Sequence, residues 1–330
     1  MMFRRILVPL DGSDRAEEAI PVAARLAHAA NGTVILVQVA PFSLDFQADK
    51  KQPAEMYPDN VIEEVKALAA NYLYNASKKP EMVGVNTETR VEYGEAAQSI
   101  LEAVDPLRVD LIVMCSHGYS GFKRWALGSV AQKIIPHSPV PVLVLRDGGP
   151  MLAAKPLDAL VSLDGSPLAE SALAPVTQLL AALAPQAQKT LHLVRVVALP
   201  VTYGRFATNA PFDQLREEAK RAAHQYLAAV AEQLIEAGGA VSDLTVTTSI
   251  AVNPDVAEAL IQTTEQKLHS GGRFDLVAMA THGRGGLQRL MMGSMTERVL
   301  HATKLPMLIV HSAGQIKQAH ERKEQIGTTR

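Results

Sequence analysis

Two stretches of the chain set small, hydroxyl and basic residues in one order. Residues 116–129 read SHGYSGFKRWALGS and residues 281–294 read THGRGGLQRLMMGS. In each, His-Gly is followed by nine residues and then Gly-Ser. A glycine ahead of a helix lets backbone amides come close to a ligand, and the free N–H groups and dipole of the helix start favour an anion. Gly128 and Gly293 stand at such starts, and Ser129 to Gln132 and Ser294 to Glu297 match a helix capping box. Lys123 and Arg124 in the first stretch, with Arg284 and Arg289 in the second, add positive charge. The chemistry these residues could do is to cradle a phosphate.

A second feature carries a carboxylate. ILVPLDGS (6–13) is echoed by ALVSLDGS (159–166), so Pro9-Leu10-Asp11 corresponds to Ser162-Leu163-Asp164. An aspartate at a strand end, just before glycine, could accept from a ribose hydroxyl or an adenine amine, or ligate Mg²⁺ carried by phosphates. The plainer role is an Asx-turn that only reverses the chain. Its recurrence favours the binding role. Glu297 puts a carboxylate in the first turn after Gly293, which opposes tight polyphosphate binding there.

These residues need a scaffold, and the chain writes it twice. VILVQV (34–39) returns as LHLVRV (191–196), DLIVMCSHG (110–118) as DLVAMATHG (275–283), and PVPVLVLR (139–146) as KLPMLIVH (304–311). Landmarks repeated in one order mean one domain in two copies. Apolar runs at 4–10, 33–39, 110–115 and 140–145, with alternation around 86–92, read as strands, and helical spacing at 16–30, 61–78, 94–104 and 129–137 lies between them. Strands alternating with helices imply a mainly parallel sheet, and unbroken apolar runs imply strands covered on both faces. The expected fold is α/β: two tandem doubly wound, Rossmann-like units, each with a five-stranded parallel sheet. Ligands of such sheets bind beyond the carboxyl ends of the strands, where the strand order reverses, which is where the repeated motifs fall. The boundaries expected are 1–147 for the first domain, 148–156 for a linker, 157–313 for the second domain and 314–330 for a polar tail. Insertions are expected near 182–189 and 266–273.

Bulk properties exclude several classes. The 330 residues are 48% apolar and 20% charged, with a net charge of −2, so the electrostatic footprint of a nucleic-acid binder is missing. One cysteine, Cys115, rules out an intramolecular disulfide. The run ILVPL after MMFRR ends at Asp11, too short for a secretory signal, and no stretch approaches a membrane span, so the location expected is cytoplasmic. Neither the P-loop pattern nor G-x-G-x-x-G after the first strand occurs.

The pattern resembles the universal stress protein (UspA) family, whose nucleotide-binding members carry Gly-x-x-Gly, nine residues, then Gly-Ser or Gly-Thr. The resemblance covers roughly residues 3–146 and 157–312. It implies a tandem member in which Gly118, Gly128, Ser129 and Val130, and likewise Gly283, Gly293, Ser294 and Met295, contact ribose and phosphates. Asp11 and Asp164 match the family's ribose- or adenine-side aspartate. Val39 and Val196 match the backbone that reads adenine. The first motif glycine is replaced by Cys115 and Ala280, and Gly94 by Asn253 in the second repeat. Cysteine is the bulkier replacement, so Ala280 and Arg284 favour the second repeat slightly as the ATP site. His117 and His282 sit within the motif among the expected contacts. No nucleophile and acid accompany them, so packing under a loop, rather than catalysis, is the role expected of their rings.

The expected function is a stress-response regulator that binds ATP or another adenine nucleotide with Mg²⁺ in one or both repeats. Binding would order loops 42–60 and 201–214 and alter a surface read by a protein partner. A nucleotide-free interaction scaffold is the alternative, and a slow ATPase, which lacks a visible base, stands third. The apolar last strands would leave exposed edges, and by the resemblance they mediate pairing, so the repeats are expected to form an internal pseudo-dimer, with a homodimer of chains open.

Overall fold

The computed structural model describes residues 3–40, 59–116, 127–146, 152, 156–198, 210–237, 243–269, 271–281 and 292–311. The chain divides into two compact units, Met1–Asp147 and Gly148–Arg330. In the first, strands β1 (Arg5–Leu10), β2 (Thr33–Ala40), β3 (Asn86–Tyr93), β4 (Leu111–Cys115) and β5 (Val142–Leu145) alternate with helices α1 (Asp14–Glu17), α2 (Ala19–Ala30), α3 (Asp59–Ser77), α4 (Ala96–Val104) and α5 (Ser129–His137). All its strand pairs are parallel, in the order β3-β2-β1-β4-β5. The order reverses between β1 and β4, so the carboxyl ends of these two strands open a crevice.

The second unit repeats the plan with β6 (Leu157–Ser162), α6 (Pro167–Glu170), α7 (Leu173–Leu183), β7 (Lys189–Val197), α8 (Ala210–Ala237), β8 (Leu244–Val252), α9 (Val256–His269), β9 (Leu276–Ala280), α10 (Ser294–Ala302) and β10 (Met307–Val310). Its strands are parallel in the order β8-β7-β6-β9-β10. The insertion expected near 266–273 appears as a longer helix, with 14 residues in α9 against 9 in α4.

The cores follow from the apolar runs. Ile6, Leu7 and Val8 are wholly buried, as are Ile112 and Val113, and Ala159, Leu160 and Val161 match them in the second unit. Central strands covered on both faces have no polar side to alternate with.

The helical pattern at 16–30 is broken rather than continuous. A four-residue α1 stops at Glu17 and α2 starts at Ala19. Pro21 supplies the reason, because its ring excludes the i−4 carbonyl, that of Glu17, and it has no N–H to give. Pro175 stands at the same place in α7, after the four-residue α6.

Two repeated aspartates hold the starts of the central strands. Asp110 accepts from the backbone N–H of Arg4 at 2.7 Å and of Arg5 at 3.1 Å. Asp275 accepts from the N–H of Asp158 at 3.0 Å. Burial raises the pKa of Asp110 against the pull of those amides.

His192 of β7 gives the second sheet a pH response. Its Nδ1 lies 2.8 Å from Thr247 Oγ1 and its Nε2 2.7 Å from Ser249 Oγ, both on β8. Burial, then the charge of Lys267, lowers its pKa below the ordinary value of 6.5, while Asp158 opposes the shift. The unfolded chain therefore binds a proton near pH 6.5 that the folded chain refuses, and stability present above that pH is lost as pH falls below it. The melting temperature should drop between pH 7.5 and 5.5, and a His192→Gln variant should show a smaller drop. Equal pH profiles would refute the assignment.

Candidate functional site

The site is built at the carboxyl ends of β1, β2 and β4. Pro9, Leu10 and Asp11 from β1 and the turn after it, Val39 from β2, and Met114, Cys115 and Ser116 from the end of β4 line one crevice in the first unit. Gly128, Ser129 and Val130 close it from the start of α5. The residues expected from the two motifs thus come together, although they are separated by more than a hundred positions. Cys115 is half-buried in the wall.

The start of α5 differs from the capping box read in the sequence. Gly128 is the N-cap, with φ −65° and ψ 155°, no side-chain cap bond is present, and Ser129 is the first helical residue. Gly293 is likewise the N-cap of α10 and Ser294 its first residue. Gln132 turns its side-chain amide to the carbonyl of Leu127 at 3.0 Å instead of reaching for a cap. A glycine cap offers no oxygen to the first-turn amides, so these keep their capacity to bind an anion. The cap itself is fixed by its N–H, which donates to Ser116 O at 2.8 Å, as Gly293 donates to Thr281 O at 2.7 Å. Glu297 lies 4.0 Å from His301, one turn further along α10.

Asp11 is engaged in the turn and also lines the crevice. Its Oδ1 accepts from the Ser13 N–H at 3.0 Å and the Ser13 hydroxyl at 2.6 Å, and Ser13 Oγ in turn caps α1 at Ala16 N. Asp164 does the same with Ser166 at 2.9 and 2.6 Å, and Ser166 Oγ accepts from Ala169 N at 3.1 Å. The Asx-turn is therefore formed in both units, and in the first its aspartate also lines the crevice. Gly12 and Gly165 follow at φ +87° and +86°, a conformation open to glycine.

His117, Gly118, His282, Gly283 and Arg284 lie outside the described residues, as do Lys123, Arg124 and Arg289, and most of loops 42–60 and 201–214. The linker 148–156 and the tail 314–330 fall there as well, apart from Leu152 and Pro156. In the second unit Ser162, Leu163 and Asp164 follow one another at the end of β6, Val196 is on β7, Ala280 ends β9, and Ser294 and Met295 open α10.

Several wall residues carried no signal in the sequence. Ala16 of α1, Ala96 and Ile100 of α4 and Ala131 of α5 complete the crevice. They are small or apolar and look like any core-facing helical residue. A tie between the two helices that flank the site was also unforeseen. Glu95 caps α4 at Gln98 N, 2.8 Å, and its carboxylate meets Lys133 of α5 at 2.9 Å. Asp255 caps α9 at Glu258 N, 3.2 Å, and takes Arg298 of α10 in two bonds of 3.0 and 2.6 Å. Both ties hold Glu95 and Asp255 below the usual carboxylate range, chiefly through the hydrogen bonds from Lys133 and Arg298.

With this geometry in place, comparison with known proteins is informative. The model of the Universal stress protein family matches residues 2–146 and again 158–311. The chain belongs to this family. Universal stress protein YxiE of Bacillus subtilis is 34% identical over 148 residues, which is 44% of this chain and all of that protein. A universal stress protein of Mycolicibacterium smegmatis is 25% identical over 313 residues, 92% of this chain and 96% of its own, and so shares the tandem arrangement. The crystal structure of a universal stress protein from Archaeoglobus fulgidus shares the fold, with a TM-score of 0.63 at 20% identity, covering 94% of this chain and 99% of the other.

The two universal stress protein units differ beneath their LDGS turns, on the α3 and α8 sides. In the second, the guanidinium of Arg195 lies 4.9 Å from the ring centroid of Tyr226, whose hydroxyl donates to Glu170 at 2.9 Å. A Cβ added at Gly165 would meet that guanidinium at 3.3 Å. In the first, Gln38 takes the place of Arg195 and Tyr72 that of Tyr226, and a Cβ at Gly12 would meet nothing within 4 Å. Burial first, then Glu17, raises the pKa of Tyr72, yet its hydroxyl and Gln38 Oε1 are buried without a hydrogen bond of good geometry.

Among the described residues no helix is long and apolar enough to cross a membrane. Nor do the described residues hold a group of three or more His, Cys, Asp or Glu side chains fit for a metal. A single carboxylate such as that of Asp11 is the kind of protein ligand that Mg²⁺ commonly takes beside phosphate oxygens and water.

Proposed function

We propose that this universal stress protein binds an adenine nucleotide, ATP with its Mg²⁺, in the crevice of the first unit, and acts as a nucleotide-responsive regulator of a stress response. The observation that carries the reading is the convergence of Asp11, Val39 and the glycine-capped start of α5 on one crevice. The α5 amides suit phosphate, Asp11 suits a ribose hydroxyl, and Val39 with Ala96 and Ile100 offers an apolar slot for a base. Gly118, His117 and the basic loop residues belong to the same proposal by their place in the motif. So does the corresponding set of the second unit: Ser162, Leu163, Asp164, Val196, Ala280, His282, Gly283, Arg284, Gly293, Ser294 and Met295. When bound, Mg²⁺ would neutralise phosphate charge, with Asp11 or Asp164 as its protein-side ligand. Pairing of the two units through their apolar last strands completes the proposal, and an X-ray scattering profile of two independently moving bodies would overturn that part.

The test is to purify the full chain without added ligand, denature it, and identify what is released by chromatography and mass, beside Asp11→Ala and Asp164→Ala variants. ATP or ADP near stoichiometry, lost selectively in one of the two variants, is the expected outcome and names the working unit. No released nucleotide, and no heat on titration with ATP and Mg²⁺, would leave the interaction scaffold as the better reading.

A further inference from the structure

Arg146 is the first residue after β5, and only 9% of it is exposed. Among the described residues its Nε and Nη2 are buried with no hydrogen-bond partner. Burial brings its pKa down to about 10, so the group stays cationic at neutral pH. A desolvated guanidinium with idle donors is costly unless an anion answers it.

The register places the main chain of Arg146 beside the crevice. Residues paired across parallel strands share a face, and Cys115 pairs with Leu145, so Arg146 aligns with Ser116. Leu7 pairs with Ile112, which brings Pro9 alongside Met114. Pro9, Met114 and Ser116 all line the crevice. The start of α5 is tied to this spot as well, because Ser116 N–H donates to Leu145 O at 2.9 Å and Gly128 N–H donates to Ser116 O at 2.8 Å. One strand spacing, about 4.8 Å, thus separates the main chain of Arg146 from the segment that anchors the N-cap of α5.

A helix start carries partial positive charge, so a buried cation next to it is repelled rather than satisfied. Both features call for negative charge at one place. Resting on the nucleotide reading above, we propose that Arg146 is a further phosphate-binding residue of the first unit, reaching a phosphate oxygen from the β5 side while the amides of α5 bind from the other. In the second unit the corresponding position is His311, so a permanently charged group stands here only in the first.

The full-length protein and its Arg146→Gln and Arg146→Lys variants would be titrated with MgATP, with adenosine and with inorganic tripolyphosphate. Loss of a charge-assisted bond should weaken MgATP about 10- to 100-fold in Arg146→Gln and leave adenosine within about twofold. Arg146→Lys should recover part of the loss. Tripolyphosphate should raise the melting temperature of the wild type and not that of Arg146→Gln, which tests the anion site even if no nucleoside binds. Should Arg146→Gln fail to fold, the same comparison is made with Arg146→Lys. Equal MgATP affinity in wild type and variant overturns the role of Arg146 alone. Wild type that binds neither adenosine nor MgATP overturns the nucleotide reading, and no tripolyphosphate shift then removes the anion site too.

Discussion

Replacing Gly128 with aspartate should strengthen the fold slightly and abolish nucleotide binding in the first unit. The residue is the N-cap of α5 at φ −65° and ψ 155°, a conformation open to any side chain, and it has no capping oxygen of its own. Aspartate there would accept from the first-turn amides and favour the helix dipole, a gain of a few tenths to about 1 kcal/mol. The same carboxylate would occupy the amides proposed to bind phosphate and repel its charge. A loss of at least about 100-fold in MgATP affinity is expected, or roughly 2.7 kcal/mol. Thermal melting and titration calorimetry on one preparation read both effects. Unchanged affinity would show that phosphate is not held at the start of α5, and a lower melting temperature would show that packing requires the glycine.

The second large effect concerns the frame. A Cβ added at Gly32 would stand 2.6 Å from Arg4 O, 2.9 Å from Arg4 Cα and 3.0 Å from Arg4 C. All three are backbone atoms at the entry to β1, so no rotamer change can relieve the contact. The neighbouring bond from Thr33 N to Arg4 O, 2.7 Å, fastens the start of β2 to the central strand. Gly32→Ala should therefore cost about 3 kcal/mol, a sum of overpacking and a weakened buried hydrogen bond. For a unit of this size that lowers the melting temperature by roughly 10 °C. A shift under about 2 °C would mean that β1 and β2 part easily here, contrary to the packing described.

Much of the frame was legible because it is written in local periodicity. The run at 4–10 became β1 at Arg5–Leu10, and the helix expected at 129–137 is α5. The break at Glu18 was missed because a proline in a first turn reads equally as a tolerated start and as an interruption. The capping box on Ser129 failed by a single residue. Sequence spacing does not distinguish an N-cap from a first helical residue, and here Gly128 takes the cap because its N–H is bound to Ser116 O. That bond spans twelve positions.

The sequence by itself determined the duplication, the α/β alternation, the two turns at Asp11 and Asp164, and the motif residues that meet at the carboxyl ends of the strands. These rest on short-range pattern and on comparison of one half with the other. Only the tertiary structure decided which plain residues wall the crevice, that Asp110 and Asp275 hold strand starts, and that Arg146 is buried without an acceptor. The physical reason is that burial and hydrogen-bond satisfaction are properties of neighbours brought from distant positions. An arginine after an apolar strand looks the same in sequence whether it ends in water or is buried.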